Sequence, residues 1–203
     1  MEKINYSKKL EEIINNLHDK PSLLLHSCCG PCSSYVITYL KDYFNITILY
    51  YNPNIEPFAE YLKRKEEQLR LLKELDIPSV DFYDTQYDNK SYREWVIGYE
   101  NDKEGGQRCH LCYELRLKKT LELALKNEYD YFGTTLTVSP YKNAQIINQI
   151  GENLAKDNKI KWLYSDFKKQ DGYKKSILLS KKYNLYRQDY CGCLFSKNTD
   201  INE

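Results

Sequence analysis

Short apolar segments alternate with amphipathic segments along nearly the whole chain, and this alternation constrains the fold more than any other feature. Predicted strands cover residues 22–25, 46–51, 79–83, 130–136 and 160–164. Predicted helices include residues 6–17, 57–75 and 174–183. Strands that alternate with helices are typical of an α/β fold whose parallel sheet lies between two helical layers. We therefore predict a three-layer α/β fold with a largely parallel sheet.

The chain has enough apolar material for one hydrophobic core. Of its 203 residues, 41% are hydrophobic and 14% are aromatic, which suits a single domain of this size. We predict one domain over residues 1–195 and a polar tail over residues 196–203. Within the domain, residues 92–125 interrupt the alternation with a short helix, a flexible run and a long helix. We interpret this segment as a helical insertion.

We expect a cytoplasmic protein with reduced cysteines. The sequence has no apolar run of about 18 residues, the length that a membrane-spanning helix needs, and no N-terminal hydrophobic segment before a cleavage site. The 30 Lys and Arg residues nearly balance the 29 Asp and Glu residues, so the formal charge of +1 does not decide for or against a nucleic-acid partner. Residues 156–187 are rich in lysine. This stretch is either a surface for a phosphate backbone or a solvated helix face.

The seven cysteines fall into three tight groups, which scattered core cysteines would not form. The groups are Cys28, Cys29 and Cys32, then Cys109 and Cys112, and then Cys191 and Cys193. A secreted disulfide framework is disfavoured, because adjacent cysteines can close only a strained ring. Thiolates select zinc, copper(I) or iron-sulfur clusters. The grouping therefore predicts a soft-metal or redox site.

The cysteine spacing leaves more than one centre open. Zinc held by two Cys-x-x-Cys pairs would leave one cysteine of the first group over. A 4Fe-4S cluster takes four cysteines, which two distant loops can supply. The residues that fit this arrangement are Cys28, Cys29, Cys109 and Cys112. Cys191 and Cys193 can close only a small disulfide ring, and such a strained bond is easily reduced, which suits an electron relay.

Several polar residues follow the predicted strands or lie close to the last cysteines. The carboxyl ends of parallel strands meet at one edge of a sheet, so the loops after the first, second and fourth strands should converge on a shared pocket with the cysteines. The substrate-binding candidates are Asn52, Asn54, Ser139, Lys142, Asn143 and Arg187. Their side chains suit a ribose or a phosphate. As alternatives, Asn54 shapes a turn, Ser139 caps a helix and Arg187 forms a surface ion pair.

Five motifs carry a resemblance to a known family. They lie at residues 26–32 (HSCCGPC), 51–55 (YNPNI), 108–113 (RCHLCY), 135–143 (TLTVSPYKN) and 186–193 (YRQDYCGC). In these motifs and their order, from about residue 23 to residue 195, the sequence resembles the cobalamin-independent epoxyqueuosine reductases. Those enzymes carry out the last step of queuosine biosynthesis in tRNA.

The resemblance implies a fold similar to the nucleotide-binding layers of the PP-loop and HUP superfamily. It also implies that Cys28, Cys29, Cys109 and Cys112 hold a 4Fe-4S cluster and that Cys191 and Cys193 form a redox-active pair. A further mononuclear iron is the competing role that it allows for the last pair. The candidate ligands of that iron are Cys32, Cys191 or Cys193, and a carboxylate.

The implied reaction removes the epoxide oxygen of a cyclopentane ring. It requires two electrons and two protons and releases water, so the implied partners are a tRNA with a queuosine-type anticodon and an external low-potential electron donor. The implied catalytic residues are Cys191, Cys193 and Asp189, with Asp189 as the first candidate proton donor because it lies beside the cysteine pair. Other candidate donors are His26, His110, Tyr113 and Tyr190. The polar candidates named above would also suit the cyclopentane diol.

Two other classes of protein compete with this prediction. A nucleotide-activating enzyme on the same fold would need a glycine- and serine-rich pyrophosphate loop after the first strand, whereas residues 28–32 read Cys-Cys-Gly-Pro-Cys. The alternative that stays open is a non-enzymatic iron-sulfur carrier or a zinc-stabilised RNA-binding module. Turnover distinguishes an enzyme from either.

Overall fold

The structure is a computed structural model that describes residues 4–197. Its strands are β1 (Ser22–His26), β2 (Asn45–Tyr50), β3 (Val80–Asp84), β4 (Tyr131–Thr134) and β5 (Lys161–Trp162). Its helices are α1 (Tyr6–Asn15), α2 (Gly30–Leu40), α3 (Phe58–Leu75), α4 (Asn89–Trp95), α5 (Gln107–Lys126), α6 (Ala144–Ala155), α7 (Gly172–Lys182) and α8 (Leu194–Lys197). A 3-10 helix follows β4 at Thr135–Val138.

The five strands form one sheet in the order β3-β2-β1-β4-β5, and every neighbouring pair is parallel. In the centre of the sheet, Leu24 of β1 lies opposite Thr47 on one side and Phe132 on the other. From β1 the chain adds β2 and β3 on one side of the sheet and then returns to add β4 and β5 on the other side, so the strand order reverses between β1 and β4. In open parallel sheets such a reversal leaves a crevice beyond the carboxyl ends of the two strands.

Apolar residues on both faces of the sheet are covered by helices. Leu23 and Leu25 of β1 face a cluster that includes residues of α2 and α7, whereas Leu24 faces a cluster built with α5 and α6. All three leucines are fully buried, and burial of each side chain contributes about 1.5–3 kcal/mol. The prediction of a three-layer α/β fold with a parallel sheet is confirmed.

Two strands are shorter than predicted because side chains redirect the backbone. The predicted strand at residues 130–136 ends at Thr134, whose hydroxyl accepts a hydrogen bond from the Leu136 amide (3.2 Å) and starts the 3-10 helix. The predicted strand at residues 160–164 keeps only Lys161–Trp162. Farther along, the Ser165 amide donates to Asn148 Oδ1 (3.0 Å) and not to the sheet.

The helical insertion is present and begins close to the predicted position. It consists of α4, a loop and α5, which starts at Gln107 and carries Cys109 and Cys112 in its first two turns. The loop between β1 and α2 is short, because α2 begins at Gly30 and therefore includes Cys32. Pro31 is favoured in this first turn, where its missing amide proton leaves no helical hydrogen bond unmade.

The chain remains packed beyond the predicted start of the polar tail. Ser196 belongs to α8 and is buried, and its hydroxyl donates to the carbonyl oxygen of Cys193 (2.9 Å). The rest of the predicted tail, residues 198–203, lies outside the described residues. Within residues 4–197, none of the helices combines the length and the apolar character needed to cross a bilayer.

Candidate metal centre and its cavity

Three thiol groups meet where β1 passes into α2. Cys28 and Cys29 precede the helix and Cys32 lies in its first turn, so the three sulfur atoms all lie within 4.8 Å of one another. The sulfur atoms of Cys28 and Cys29 are 3.7 Å apart. Among the described residues, this is the group of His, Cys, Asp or Glu side chains whose ligand atoms are close enough to hold one metal ion.

Buried His26 fixes the strand from which this loop leaves. Its Nδ1 lies 2.9 Å from the hydroxyl of Thr134 and its Nε2 lies 3.1 Å from the carbonyl oxygen of Tyr51. A carbonyl can only accept, so Nε2 carries the proton and Nδ1 accepts from Thr134. Burial, with the charge of Arg116, lowers the pKa of His26 to about 3. The ring is therefore neutral at pH 7. Its two hydrogen bonds link three strand ends, and it does not act as an acid.

The three thiols share negative charge unequally. Hydrogen bonds from Cys29 and Cys32 hold the pKa of Cys28 well below its usual range, and the Lys142 charge acts in the same direction. The bond to Cys28 raises the pKa of Cys29 to about 12, and Cys28 and Cys29 hold that of Cys32 well above its usual range. Cys28 is therefore the member of the group that loses its proton most readily, and Cys29 and Cys32 hold theirs more strongly. Metal binding at all three sulfurs must therefore release protons.

The second cysteine pair lies on the insertion and faces the third. Burial raises the pKa values of Cys109 and Cys112, that of Cys112 to about 12, and the neighbouring thiols Cys191 and Cys193 add to both shifts. The Gly105 amide donates to the sulfur of Cys109 (3.2 Å). Cys112 and Cys193 belong to one apolar cluster. The helical insertion and the end of the chain thus bring four more sulfurs to the same side of the sheet.

Cys191 and Cys193 are free thiols, as are the other five cysteines. Gly192 between them has a φ of 120°, a conformation that side chains strongly disfavour, and its carbonyl oxygen accepts from the Glu56 amide (2.8 Å). The ammonium group of Lys142 lies 3.7 Å from the sulfur of Cys191. Cys193 is buried, whereas Cys191 is half-buried and reaches the cavity described next.

A cavity of about 390 Å³ opens beside the cysteines, at the carboxyl ends of the strands. The sulfur-bearing residues in its wall are Cys28, Cys32 and Cys191. The residues predicted from sequence that also line it are Asn52, Asn54, Ser139, Lys142, Arg187 and Asp189. The predicted convergence of three strand-end loops on one pocket is therefore present in the structure.

Not every candidate reaches the cavity. Asn143 is exposed, is absent from the cavity wall, and caps α6 by accepting from the amides of Gln145 (3.0 Å) and Ile146. The capping role considered for Ser139 thus falls to Asn143, while Ser139 faces the cavity. Arg187 is exposed and donates to the Ser180 hydroxyl (3.1 Å).

The other candidate proton donors differ in their surroundings. Asp189 is exposed at the cavity rim. The Tyr190 hydroxyl donates to the carbonyl oxygen of Glu56 (2.7 Å), and burial raises the pKa of Tyr113. The Nε2 atom of His110 is buried without a hydrogen-bond partner among the described residues.

Three residues around the centre were not predicted from sequence. Arg64 donates to the carbonyl oxygen of Cys191 (3.1 Å), and Gln188 Nε2 donates to the sulfur of Cys29 (3.3 Å). Arg116 is buried one helical turn after Cys112 and donates to its carbonyl oxygen (3.2 Å). The spacing between Cys112 and Arg116, four residues on a predicted helix, was the available signal.

The donor set fits a soft metal. The converging group at Cys28 consists of sulfur alone, and two further thiol pairs face the same region beside buried cations. Thiolate ligands suit an iron-sulfur cluster or zinc better than magnesium or calcium. The residues present therefore fit a soft-metal thiolate centre, and the sulfurs that converge within 4.8 Å are those of Cys28, Cys29 and Cys32, not the predicted set of Cys28, Cys29, Cys109 and Cys112.

Comparison with known proteins identifies the family. The family model described as epoxyqueuosine reductase QueH matches residues 23–199. The chain belongs to the epoxyqueuosine reductase QueH family. A relative of that name from Staphylococcus epidermidis is 41% identical over 96% of this chain and 85% of its own length. The QueH relative from Haemophilus influenzae is 40% identical over 88% of this chain and 72% of its own length. The QueH relative from Thermotoga maritima is 34% identical over 86% of this chain and 90% of its own length. The predicted family, and with it an enzyme of the oxidoreductase class, is confirmed.

Proposed function

We propose that this chain reduces epoxyqueuosine at the wobble position of tRNA to queuosine. One observation carries the proposal: three cysteine groups from distant parts of a QueH-family chain face one side of the sheet, beside a cavity that Cys28, Cys32 and Cys191 line. Redox-capable sulfur and space for a small polar ring thus adjoin each other.

The reaction balances with two electrons. Both carbon-oxygen bonds of the epoxide break, the two carbons form a double bond, and the oxygen leaves as water after taking up two protons. An external low-potential donor supplies the electrons. The protein must therefore bind the cyclopentane ring, deliver protons to its oxygen and keep the reducing centre close.

We propose Cys28, Cys29, Cys109 and Cys112 as the residues that hold a 4Fe-4S cluster. When bound, such a cluster supplies electrons one at a time. Cys191 and Cys193 provide the second redox element, either as a dithiol that becomes a disulfide or as ligands of a mononuclear iron. Cys32 and Cys191 line the same cavity, which supports the participation of Cys32 in that iron site.

The cavity residues divide the remaining work. Lys142 holds its ammonium group 3.7 Å from the sulfur of Cys191, at the wall of the cavity. Asn52, Asn54 and Ser139 offer amides and a hydroxyl to the diol of the ring. Asp189, at the cavity rim, is the proposed proton donor to the leaving oxygen, with Arg187 beside it for a phosphate.

A tRNA anticodon loop is the proposed partner, and the modified base must leave its stack to enter the cavity. Tyr141 lies at the cavity wall with 77% of its surface exposed and offers a stacking face. The lysine-rich stretch divides in the structure. Helix α7 contributes Tyr173 and Ser176 to the cavity wall, so the lysines of α7 are the better candidates for contacts with the tRNA backbone. Lys156 and Lys161 line a separate groove. The setting that we propose is a reducing cytoplasm.

A turnover assay tests the reaction. Chain purified without oxygen is mixed with tRNA that contains epoxyqueuosine and with a low-potential reductant, and the nucleosides are analysed by mass spectrometry. We expect queuosine from the wild type and none from Cys28→Ser. A metal-loaded, folded chain that leaves the epoxide unchanged would instead support the carrier or RNA-binding alternative.

Metal analysis tests the cofactor separately. We expect about four irons and four sulfides per chain, with an electron paramagnetic resonance signal of a reduced cluster after dithionite. A reproducible fifth iron would favour the mononuclear site over the disulfide. Stoichiometric zinc without sulfide would contradict the cluster assignment.

A further inference from the structure

Two arginines in this chain are equally buried but differently paired. The side chains of Arg64 and Arg116 are each 2% exposed. Arg64 forms an ion pair with Glu60 at 2.6 Å. Arg116 has no carboxylate within ion-pair distance among the described residues, and its Nη2 atom is buried without a hydrogen-bond partner. A guanidinium stays charged at every working pH.

A buried, unpaired cation requires compensation by another charge. Removing a guanidinium from water costs free energy that hydrogen bonds to neutral groups offset only in part. The neutral partners of Arg116 are the carbonyl oxygen of Cys112 (3.2 Å) and Oδ1 of Asn52 (3.4 Å). The protein interior around it must therefore supply negative charge from another source.

The acidic groups that face Arg116 are thiols and a phenol. Burial lowers the pKa of Arg116, but Cys112, Cys191, Cys28 and then Tyr113 outweigh that effect and raise it. These groups come from α5, from the Cys-Gly-Cys segment (residues 191–193) and from the loop after β1. Lys142, a second cation, also faces this region. Burial lowers the pKa of Lys142, but Cys191 and Cys28 help to outweigh that effect and raise it.

We propose that Arg116 is the fixed counter-charge of the metal-thiolate centre and raises the reduction potential of the proposed cluster. This inference rests on the cofactor part of the proposed function. A cluster with four thiolate ligands carries net negative charge, which grows by one unit on reduction, so a nearby cation stabilises the reduced form. Arg116 acts through the centre and is a positioning residue, not a catalytic one.

The surroundings hold the guanidinium in place relative to the first cysteine loop. Asn52 accepts from Arg116 and, through its Nδ2, donates to the carbonyl oxygen of Ser27 (2.8 Å), the residue before Cys28. The carbonyl oxygen of Cys112 binds the other side of the guanidinium. Arg116 therefore bridges the backbones that carry two of the proposed ligand pairs. A lysine at the same position would retain the charge but lose this fork.

A redox titration monitored by electron paramagnetic resonance tests the inference on the loaded protein without substrate. The variants are Arg116→Gln and Arg116→Lys, with Arg70→Gln as a control, because Arg70 lies on α3 and pairs with Glu67 and Glu74. We expect Arg116→Gln to lower the ratio of reduced to oxidised cluster at least tenfold at a fixed potential, which is about 59 mV for one electron. Arg116→Lys should retain most of the wild-type potential.

Thermal unfolding of the metal-free and loaded proteins gives a second readout. We expect metal loading to raise the unfolding midpoint more in the wild type than in Arg116→Gln, because the metal centre and the arginine stabilise each other. The inference would be overturned if Arg116→Gln lowered the unfolding midpoints of the metal-free and loaded proteins equally. An unchanged reduction potential in a fully loaded Arg116→Gln variant would also overturn it. If Arg116→Gln loads poorly, the potential of Arg116→Lys decides, and a large loss despite the retained charge counts against the inference.

Failure of the proposed function is distinguishable. If the wild type holds zinc and no sulfide, the cluster assignment fails. The unfolding comparison then still tests Arg116, because zinc bound by four thiolates is also anionic.

Discussion

Arg64 donates a hydrogen bond to the carbonyl oxygen of Cys191 over 3.1 Å and so ties α3 to the Cys-Gly-Cys segment. Glu60, one turn earlier on α3, holds the guanidinium through a 2.6 Å ion pair. The backbone of Gly192 packs against the same arginine. The position of the last two thiols therefore depends on a helix more than 120 residues away in sequence.

We predict that Arg64→Lys lowers turnover about tenfold, since a lost charge-assisted hydrogen bond costs roughly 1.5–3 kcal/mol. Lysine keeps the charge but cannot reproduce the planar fork. The matched control is Arg70→Lys on the same helix. The Arg70 guanidinium donates hydrogen bonds to the carbonyl oxygens of Tyr183 and Asn184, which do not line the cavity. Steady-state kinetics of the two variants would reject this role for Arg64 if they lose activity equally.

Gly192→Ala should destabilise the fold by about 1–3 kcal/mol. Its φ of 120° disfavours a side chain, and an added Cβ would lie 3.0 Å from both Arg64 Nη1 and Ile55 Cγ1. Gly98→Ala separates these causes, because Gly98 also has a positive φ (87°) but nothing within 4 Å of the added atom. Denaturant unfolding should show the larger loss for Gly192→Ala, and the reverse order would contradict the packing of this segment.

In the metal-free chain at neutral pH, iodoacetamide should alkylate Cys28 before Cys29 and Cys112. The pKa of Cys28 lies well below its usual range and its side chain is half-buried, whereas the other two are buried and have pKa values of about 12. Cys29→Ala removes the hydrogen bond that contributes most to the low pKa of Cys28. Peptide mapping should show slower alkylation of Cys28 in that variant; preferential labelling of Cys29 in the wild type would count against the proposed charge distribution.

Metal affinity should rise with pH. Cys29 and Cys112 are protonated at neutral pH because their pKa values are about 12, so metal binding at these sulfurs must displace their protons. Raising the pH lowers the cost of that displacement, and the apparent affinity for a divalent metal increases. Competition titrations with zinc at several pH values measure the slope, and an affinity that is independent of pH would show that the sulfurs are already deprotonated.

The fold was largely predictable because its signals are local. Apolar strands and amphipathic helices are visible in sequence, and the rule that parallel strands end at one edge predicts a shared pocket for Cys28, Asn54 and Ser139. The end of β4 was not predictable from hydrophobicity, because the Thr134 side chain turns an apolar segment into a 3-10 helix. Asn143 caps α6 and is absent from the cavity wall, which the sequence could not indicate because a helix cap and a ligand-binding asparagine look alike in sequence.

The arginines around the cysteines were missed for a different reason. Arg64 and Arg116 bind backbone carbonyl oxygens of residues 127 and four positions away, respectively. A carbonyl group leaves no residue-specific trace in sequence, so the signal for Arg116 was limited to its four-residue spacing from Cys112. The contact of Arg64 forms only after α3 and residues 190–191 pack together. The sequence thus offers candidates for the residues that carry the chemistry, but not for the residues that position them.

A single-turnover experiment shows whether electrons from the reduced metal centre convert epoxyqueuosine to queuosine. The anaerobically purified chain is reduced with a measured amount of low-potential reductant, freed of excess and mixed with tRNA that contains epoxyqueuosine. We expect queuosine to form as the reduced cluster signal disappears, with two electrons consumed for each product. A fully loaded, reduced chain that binds the tRNA but keeps its reduced signal and yields no queuosine would contradict it.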